Sequence, residues 1–319
     1  MVQGDQTKRV LLFGATGTAG QAAGRALIRA GHDVVRVVRP GRATVPFAGK
    51  TRVADLTGAA EVMRGGGFDA VVSCLASRTG ASRDAWAVDH GANLAILRAA
   101  EASGVGQFVL LSAICVQKPL LAFQRAKLAF EDELMASGLI WSIVRPTAFF
   151  KSLAGQIARV QVGKPFLVFG DGELTACKPI SDDDLGDFIA TCLTDPTRQG
   201  RVLPIGGPGP ALTPLDQGRL LFEAAGRPAR FRHVPVAMMD VIGGVARGLG
   251  LVSRRWSDKA EFVRIGRYYA TESMLVWDAA AGRYDADATP EFGQETLGAF
   301  YADVIAGRRV VQLGDHAVF

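Results

Sequence analysis

The strongest chemical signal in the sequence is a glycine-rich loop near the N-terminus. It follows the apolar run Arg9–Phe13 and precedes a helical pattern. Glycines at such a strand–helix junction let the backbone approach a pyrophosphate, and the helix N-terminus faces the anion with unpaired N–H groups. The sequence therefore predicts a dinucleotide-binding loop. Its predicted contact residues are Gly14, Thr16, Gly17, Thr18, Ala19 and Gly20.

The end of the second predicted strand indicates which dinucleotide is bound. Arg39 stands where an NAD enzyme carries an acidic residue for the ribose 2′-hydroxyl, and Arg42 follows closely. A guanidinium pairs with a 2′-phosphate, whereas a carboxylate would repel it. The sequence therefore predicts NADPH as the cofactor, and an exposed arginine without a ligand is the alternative. Asp55, after the third strand, is predicted to contact the adenine or to cap a helix.

A serine and a lysine further along the chain point to the nicotinamide half of the cofactor. The G-x-x-G-x-x-G spacing resembles that of extended and atypical short-chain dehydrogenase/reductases, whose carbonyl reductases pair a serine with Tyr-x-x-x-Lys. Here Ser112 follows the fifth strand and Lys127 is present, but Phe123 replaces the tyrosine and cannot donate a proton. Lys127 is the predicted catalytic residue and a predicted contact of the nicotinamide ribose hydroxyls, with a plain surface lysine as the alternative. Ser112 is a further predicted cofactor contact. Further predicted cofactor contacts are Leu75, Ala76, Pro146 and Phe149.

The elements that position these residues alternate between β-branched runs and helical patterns. Near-continuous apolar strands separated by helices predict a parallel sheet covered on both faces. The predicted strands are Arg9–Phe13, Val34–Val38, Ala70–Cys74, Phe108–Leu111, Trp141–Val144 and, later, Arg201–Ile205. The predicted helices are Gly20–Ala30, Ala59–Arg64, Asn93–Ser103, Phe123–Ser137, one that follows the N-cap Ser181 and runs through Leu193, Pro214–Ala225 and Val236–Leu249. The C-terminal region has no clear period.

This pattern predicts an α/β fold, a doubly wound parallel sheet of the Rossmann type with a smaller, interleaved C-terminal lobe. The rhythm changes after Pro146, and a later helix and strand rejoin the sheet. We therefore assign residues 1–150 and 179–207 to the NADP(H)-binding domain. Residues 151–178 and 208–319 are assigned to the substrate lobe.

Composition excludes several function classes. The chain has 319 residues, of which 49% are hydrophobic and 21% charged, as in ordinary globular proteins. The net charge of +5 is not concentrated in a basic run, which disfavours nucleic-acid binding. The four cysteines form no C-x-x-C pair and the four histidines have no metal-ligand spacing, so no metal is predicted. Without a visible secretory signal, a cytoplasmic location is expected.

Sequence blocks in both predicted lobes resemble the divinyl chlorophyllide 8-vinyl-reductases, an NmrA-like family of atypical short-chain reductases. The blocks are LLSAICVQKPLLAFQRAK (110–127), YYATESM (268–274), YDADATP (284–290) and GDHAVF (314–319). The resemblance implies NADPH-dependent reduction of the 8-vinyl group of a divinyl (proto)chlorophyllide to ethyl in (bacterio)chlorophyll biosynthesis. Hydride addition to a conjugated vinyl group spreads negative charge into the macrocycle, which makes the missing tyrosine at Phe123 tolerable.

A magnesium tetrapyrrole requires a wide apolar cleft. The predicted substrate contacts are Phe123, Phe150, Met238 and Trp256, each with a plain core role as the alternative. Three other functions stay open. One is a different reductase, of the isoflavone-reductase-like kind, or an epimerase on the same fold. The others are a non-catalytic NADP(H)-binding redox sensor and a scaffold that keeps the nucleotide for stability. The segment Val234–Val252 can serve as a pocket wall or touch the photosynthetic membrane peripherally. The oligomeric state and the preferred tetrapyrrole also stay open.

Overall fold

Seven parallel strands form the central sheet of the computed structural model. The structure describes residues 7–41, 46–55, 58–240 and 254–311, and for residues 254–260 it describes the backbone only. These strands are β1 (Arg9–Phe13), β2 (Asp33–Val38), β3 (Lys50–Val53), β4 (Ala70–Ser73), β5 (Gln107–Leu111), β6 (Ile140–Pro146) and β8 (Arg201–Ile205). Their order is β3-β2-β1-β4-β5-β6-β8, and all neighbouring pairs are parallel. The strand order reverses between β1 and β4, and ligands of such sheets bind beyond this switch point.

Helices cover both faces of the sheet. The helices are α1 (Thr18–Arg29), α2 (Ala59–Met63), α3 (Ser82–Ala85), α4 (Asn93–Ala102), α5 (Ala122–Met135), α6 (Ile157–Gln161), α7 (Asp182–Thr191), α8 (Pro214–Ala224), α9 (Arg254–Thr271) and α10 (Leu297–Ile305). Side chains alternate along β1, so Val10 and Leu12 enter the core under α1 and α7, while Leu11 and Phe13 enter the core under α4 and α5. This two-sided core confirms the predicted doubly wound fold.

A smaller lobe is built from segments that leave the sheet after β6. It contains the parallel pair β7 (Phe166–Phe169) and β9 (Phe231–Val234) and the antiparallel pair β10 (Val276–Asp278) and β11 (Arg283–Asp285). Its apolar core lies between α6, α8 and α10. The lobe is interleaved with the sheet, because α7 packs on α1 and β8 pairs with β6. The predicted domain boundaries stay a prediction.

The structure also contains elements that the sequence did not predict. A π-helix, Trp86–Ala92, joins α3 to α4, so the helical segment begins well before the predicted Asn93. Helix α9 has eighteen residues in the region that showed no period. Much of the predicted helix Val236–Leu249, the C-terminal block 314–319 and Arg42 lie outside the described residues. Within the described ranges, no helix combines the length and hydrophobicity needed to span a bilayer.

Candidate active site

Two of the loop glycines are required by the packing of the protein itself. Gly14 follows β1 with a φ of +74°, and a Cβ there would lie 2.4 Å from the carbonyl oxygen of Cys74, just past β4. A Cβ at Gly20 would lie 2.2 Å from the carbonyl oxygen of Gly14. No side chain fits at either distance. The absence of a side chain at Gly14 therefore allows the ends of β1 and β4 to approach each other, and its absence at Gly20 allows α1 to pack against the loop.

Gly17 has no such constraint from protein atoms. Its φ of −76° is open to any residue, and a Cβ would meet only the carbonyl oxygen of Gly14, at 3.4 Å. Thr16 and Gly17 are exposed, and Gly17 is the N-cap of α1 without a side-chain cap on the helix. The uncapped N–H groups and the space beside Gly17 fit the pyrophosphate of a dinucleotide.

Lys151, which the sequence analysis missed, brings a cation to this loop. It lies in the 3₁₀ helix Phe150–Gln156 after β6, and its Nζ donates to Thr18 Oγ1 over 2.8 Å. Burial raises the pKa of the nearby Asp182 to about 6, while the charges of Arg309 and Lys151 lower it. Lys151 follows no motif, and only the path of the chain after β6 places it here.

Replacing Lys151 with alanine should weaken the binding of both phosphorylated and unphosphorylated dinucleotides. We expect Lys151 to bind the pyrophosphate that both cofactors share. A charge-assisted hydrogen bond from an ammonium group to a phosphate contributes about 1.5–3 kcal/mol, so Kd for NADPH and for NADH should each rise about tenfold or more. Titration of cofactor fluorescence with purified protein measures both constants. A loss confined to NADPH would contradict a role at the pyrophosphate.

Arg39 carries an uncommitted guanidinium at the end of β2. Its side chain is exposed and forms neither a hydrogen bond nor an ion pair within the described ranges. The neighbouring Arg36 is different, because it is buried over the Phe47 ring at 4.6 Å and donates to Thr51 Oγ1 over 2.9 Å. Asp55 accepts from the Gly58 N–H over 2.9 Å at the start of α2. This bond closes the turn that leads into α2, whose N-cap Gly58 has no side-chain cap. Contact of Asp55 with adenine and helix capping by Asp55 both stay predictions.

Lys127 lies on α5 and faces the π-helix Trp86–Ala92. Its Nζ is 2.9 Å from Asp89 Oδ1, and both side chains are buried. Burial raises the pKa of the Cys74 thiol to about 12, and the charge of Lys127 opposes that rise. Cys74 therefore stays protonated at neutral pH and is no nucleophile.

The hydroxyl of Ser112 is hydrogen-bonded to a neighbouring buried side chain. It donates to the buried carboxylate of Glu131, one turn beyond Lys127 on α5, and Arg145 of β6 pairs with the same carboxylate. The network ties β5, α5 and β6 together. The Ser112 N–H also donates, to the Val144 carbonyl oxygen over 2.7 Å. A cofactor contact by Ser112 stays a prediction. Other predicted contacts flank the strand ends: Leu75 and Ala76 after β4, and Pro146 and Phe149 around the end of β6.

The predicted substrate residues occupy different surroundings. Phe123 is buried in a cluster with Cys115 and Tyr268, the latter from α9. Phe150 is also buried and packs against Phe300 with ring centroids 5.3 Å apart, which favours its core role. Met238 is 47% exposed. The side chain of Trp256 lies outside the described residues.

Comparisons with known proteins agree with this geometry. Residues 14–196 match a family model described as NAD(P)H-binding. The chain is 49% identical to the divinyl chlorophyllide a 8-vinyl-reductase of Oryza sativa subsp. indica, over 97% of this chain and 82% of that protein. The Arabidopsis thaliana protein of the same name is 47% identical, over 93% and 76%. A leucoanthocyanidin reductase–NADPH complex from Vitis vinifera shares the fold, with a TM-score of 0.67 at 15% identity over 93% of this chain and 99% of that one.

Proposed function

Since this chain belongs to the divinyl chlorophyllide a 8-vinyl-reductase family, we propose that it reduces the 8-vinyl group of a divinyl magnesium tetrapyrrole to an ethyl group with NADPH. The observation that carries the proposal is similarity at 45–49% identity across both lobes. Fold alone would not separate this activity from those of other reductases.

We infer that residues of the site contact NADPH at its pyrophosphate, at its 2′-phosphate and at its nicotinamide ribose. We assign the pyrophosphate to the loop Gly14–Gly20 and to Lys151, and the 2′-phosphate to Arg39. Lys127, on the far side of the switch point, is assigned to the ribose hydroxyls of the nicotinamide. When bound, NADPH supplies the hydride that reduces the vinyl group.

The remaining work of the protein is to position two flat molecules and exclude water between them. Phe123 offers an apolar ring at the place where carbonyl reductases carry their acid, and Cys74 stays a neutral thiol. A site of this kind suits a conjugated C=C bond, because the charge that develops during reduction is shared by the macrocycle and not held on one oxygen. Positioning of this type contributes several kcal/mol to catalysis.

Arg39→Ala should change the choice of cofactor. Removing the uncommitted guanidinium should raise KM for NADPH about 10- to 100-fold, because a charge-assisted hydrogen bond is worth about 1.5–3 kcal/mol. KM for NADH should stay the same, since NADH has no 2′-phosphate. Initial rates with both cofactors measure this, and Lys151→Ala is the matched variant that affects the two alike. An equal rise for NADH would contradict the assignment.

The activity itself is tested by anaerobic incubation of the purified protein with NADPH and divinyl chlorophyllide. We expect a blue shift of the Soret band and a mass gain of two hydrogens, without added flavin or metal. A parallel incubation with divinyl protochlorophyllide compares the two tetrapyrroles. Tight NADPH binding without reduction of either would contradict the proposal and favour the redox-sensor alternative.

A further inference from the structure

A buried ion pair joins α5 to the π-helix Trp86–Ala92. Lys127 Nζ is 2.9 Å from Asp89 Oδ1, with the lysine side chain 10% exposed and the aspartate side chain 0% exposed. Asp89 Oδ1 also accepts from the Ser77 N–H over 3.3 Å, whereas Asp89 Oδ2 is buried without a hydrogen-bond donor in the described part of the chain. One carboxylate oxygen of Asp89 thus pairs with Lys127, and the other has no hydrogen-bond donor among the described residues.

The π-helix fixes this carboxylate relative to the sheet. Asp89 lies in the middle of Trp86–Ala92, and Asn93 Nδ2 donates to the carbonyl oxygens of Val88 and Asp89 over 3.3 and 3.1 Å. Ser73 Oγ, at the end of β4, donates in turn to Asn93 Oδ1 over 2.6 Å. π-Helical turns are uncommon and concentrate at functional sites. Here the wide turn aims Asp89 at Lys127 and anchors it to the strand beside the glycine loop.

Stability alone is a poor explanation for this pair. Taking two charges out of water costs more than the pair usually returns, and a buried ion pair is commonly no more stabilising than apolar residues of similar size. A carboxylate oxygen left without a donor adds to that cost. The arrangement therefore needs a reason beyond folding.

We propose that Asp89 is a positioning residue that holds Lys127 and balances its charge, so that the site can accommodate the positively charged ring of NADP⁺ as well as the neutral ring of NADPH. The inference rests on the proposed function, which places the nicotinamide beside Lys127. A lone ammonium group there would favour the reduced cofactor and oppose the charge that appears on the ring as the hydride leaves. The Asp89 carboxylate, 2.9 Å from the ammonium group, cancels that field.

The ratio of the two dissociation constants, Kd for NADP⁺ divided by Kd for NADPH, measures this balance without any tetrapyrrole. Asp89→Asn should raise the ratio about tenfold, the size expected of one uncompensated charge several ångströms away in a partly screened site. Lys127→Met should lower it, because the carboxylate is then left alone. The double variant should return to within about twofold of the wild-type ratio, and Asp89→Glu, which keeps the charge, should preserve it.

A purely structural role predicts a different pattern. Loss of the pair would then weaken both cofactor forms equally, and unchanged ratios in both Asp89→Asn and Lys127→Met would overturn the proposal. If Asp89→Asn does not fold, Lys127→Met and the double variant still show whether the ratio of Kd for NADP⁺ to Kd for NADPH falls without the lysine and recovers when both charges are removed. Because the titrations use cofactor alone, a protein that shows the predicted ratios but no vinyl reduction would refute the proposed function and leave the role of Asp89 supported.

Discussion

Gly17→Ala is expected to fold normally and to lose nearly all affinity for NADPH. The backbone at Gly17 is in a region open to alanine, and the added methyl group would meet only one protein atom, at 3.4 Å. It would instead occupy the space assigned to the pyrophosphate. Losing two charge-assisted hydrogen bonds there, at about 1.5–3 kcal/mol each, raises Kd at least about 100-fold. Fluorescence titration measures the affinity, and thermal unfolding without cofactor measures the fold.

Gly20→Ala is the matched variant and should behave differently. Its Cβ would lie 2.2 Å from the carbonyl oxygen of Gly14, so the loop or α1 must move. Overpacking of this kind costs about 1–3 kcal/mol, which exceeds the roughly 1 kcal/mol that alanine contributes inside a helix. We expect a lower Tm as well as weaker binding. A Gly17→Ala protein that binds NADPH normally would show that the pyrophosphate lies elsewhere.

The second large effect is expected at Glu131, where the change should appear in stability. Its carboxylate is fully buried, accepts from Ser112 of β5 and pairs with Arg145 of β6. Glu131→Gln keeps the shape of the side chain but leaves the arginine without a counter-charge. Breaking a buried pair in this way costs about 3–5 kcal/mol, which corresponds to a fall in Tm of about 5–10 °C. Thermal and urea unfolding both report the loss.

An exposed ion pair between α1 and α7 supplies the control. Arg25 Nη2 and Asp183 Oδ1 are 2.6 Å apart, but their side chains are 52% and 47% exposed. Water already solvates both groups, so Arg25→Ala should cost under about 1 kcal/mol. Equal losses of stability in Glu131→Gln and Arg25→Ala would contradict the view that the burial of an ion pair, and not its presence alone, determines how much its loss destabilises the protein.

The sheet could be predicted from the sequence because its local signals agree with its long-range order. The run Ala70–Ser73 is fully buried and apolar up to its last residue, and Gly14 occupies a left-handed conformation that its residue type suggests. Helix α9 was harder to predict, because most of its residues are polar and hide the spacing of Ile265 and Tyr268, which pack near Phe123. A spacing of three residues between those positions was the available signal.

The charged part of the site could be predicted only in outline. Lys127 could be identified from its spacing of four residues after Phe123. Its partner Asp89 could not, because it lies in a π-helix and no local sequence pattern predicts the register of such a helix. Lys151 reaches the loop through the turn after β6, and Ser112 turns towards Glu131 because Arg145 holds that carboxylate. Each of these contacts depends on how distant segments pack, and not on the residues beside them in sequence.

The late position of β8 in the chain has a consequence for protein synthesis. Strand β6 ends at Pro146, but the strand that covers its outer edge does not begin until Arg201. At the usual rate of about 5–20 residues per second, a nascent chain carries β6 with an open edge for about 3–10 s. Unpaired strand edges recruit other strands. A ribosome that stalls within residues 147–200 would therefore display an aggregation-prone intermediate, and chaperone capture during that interval would protect it.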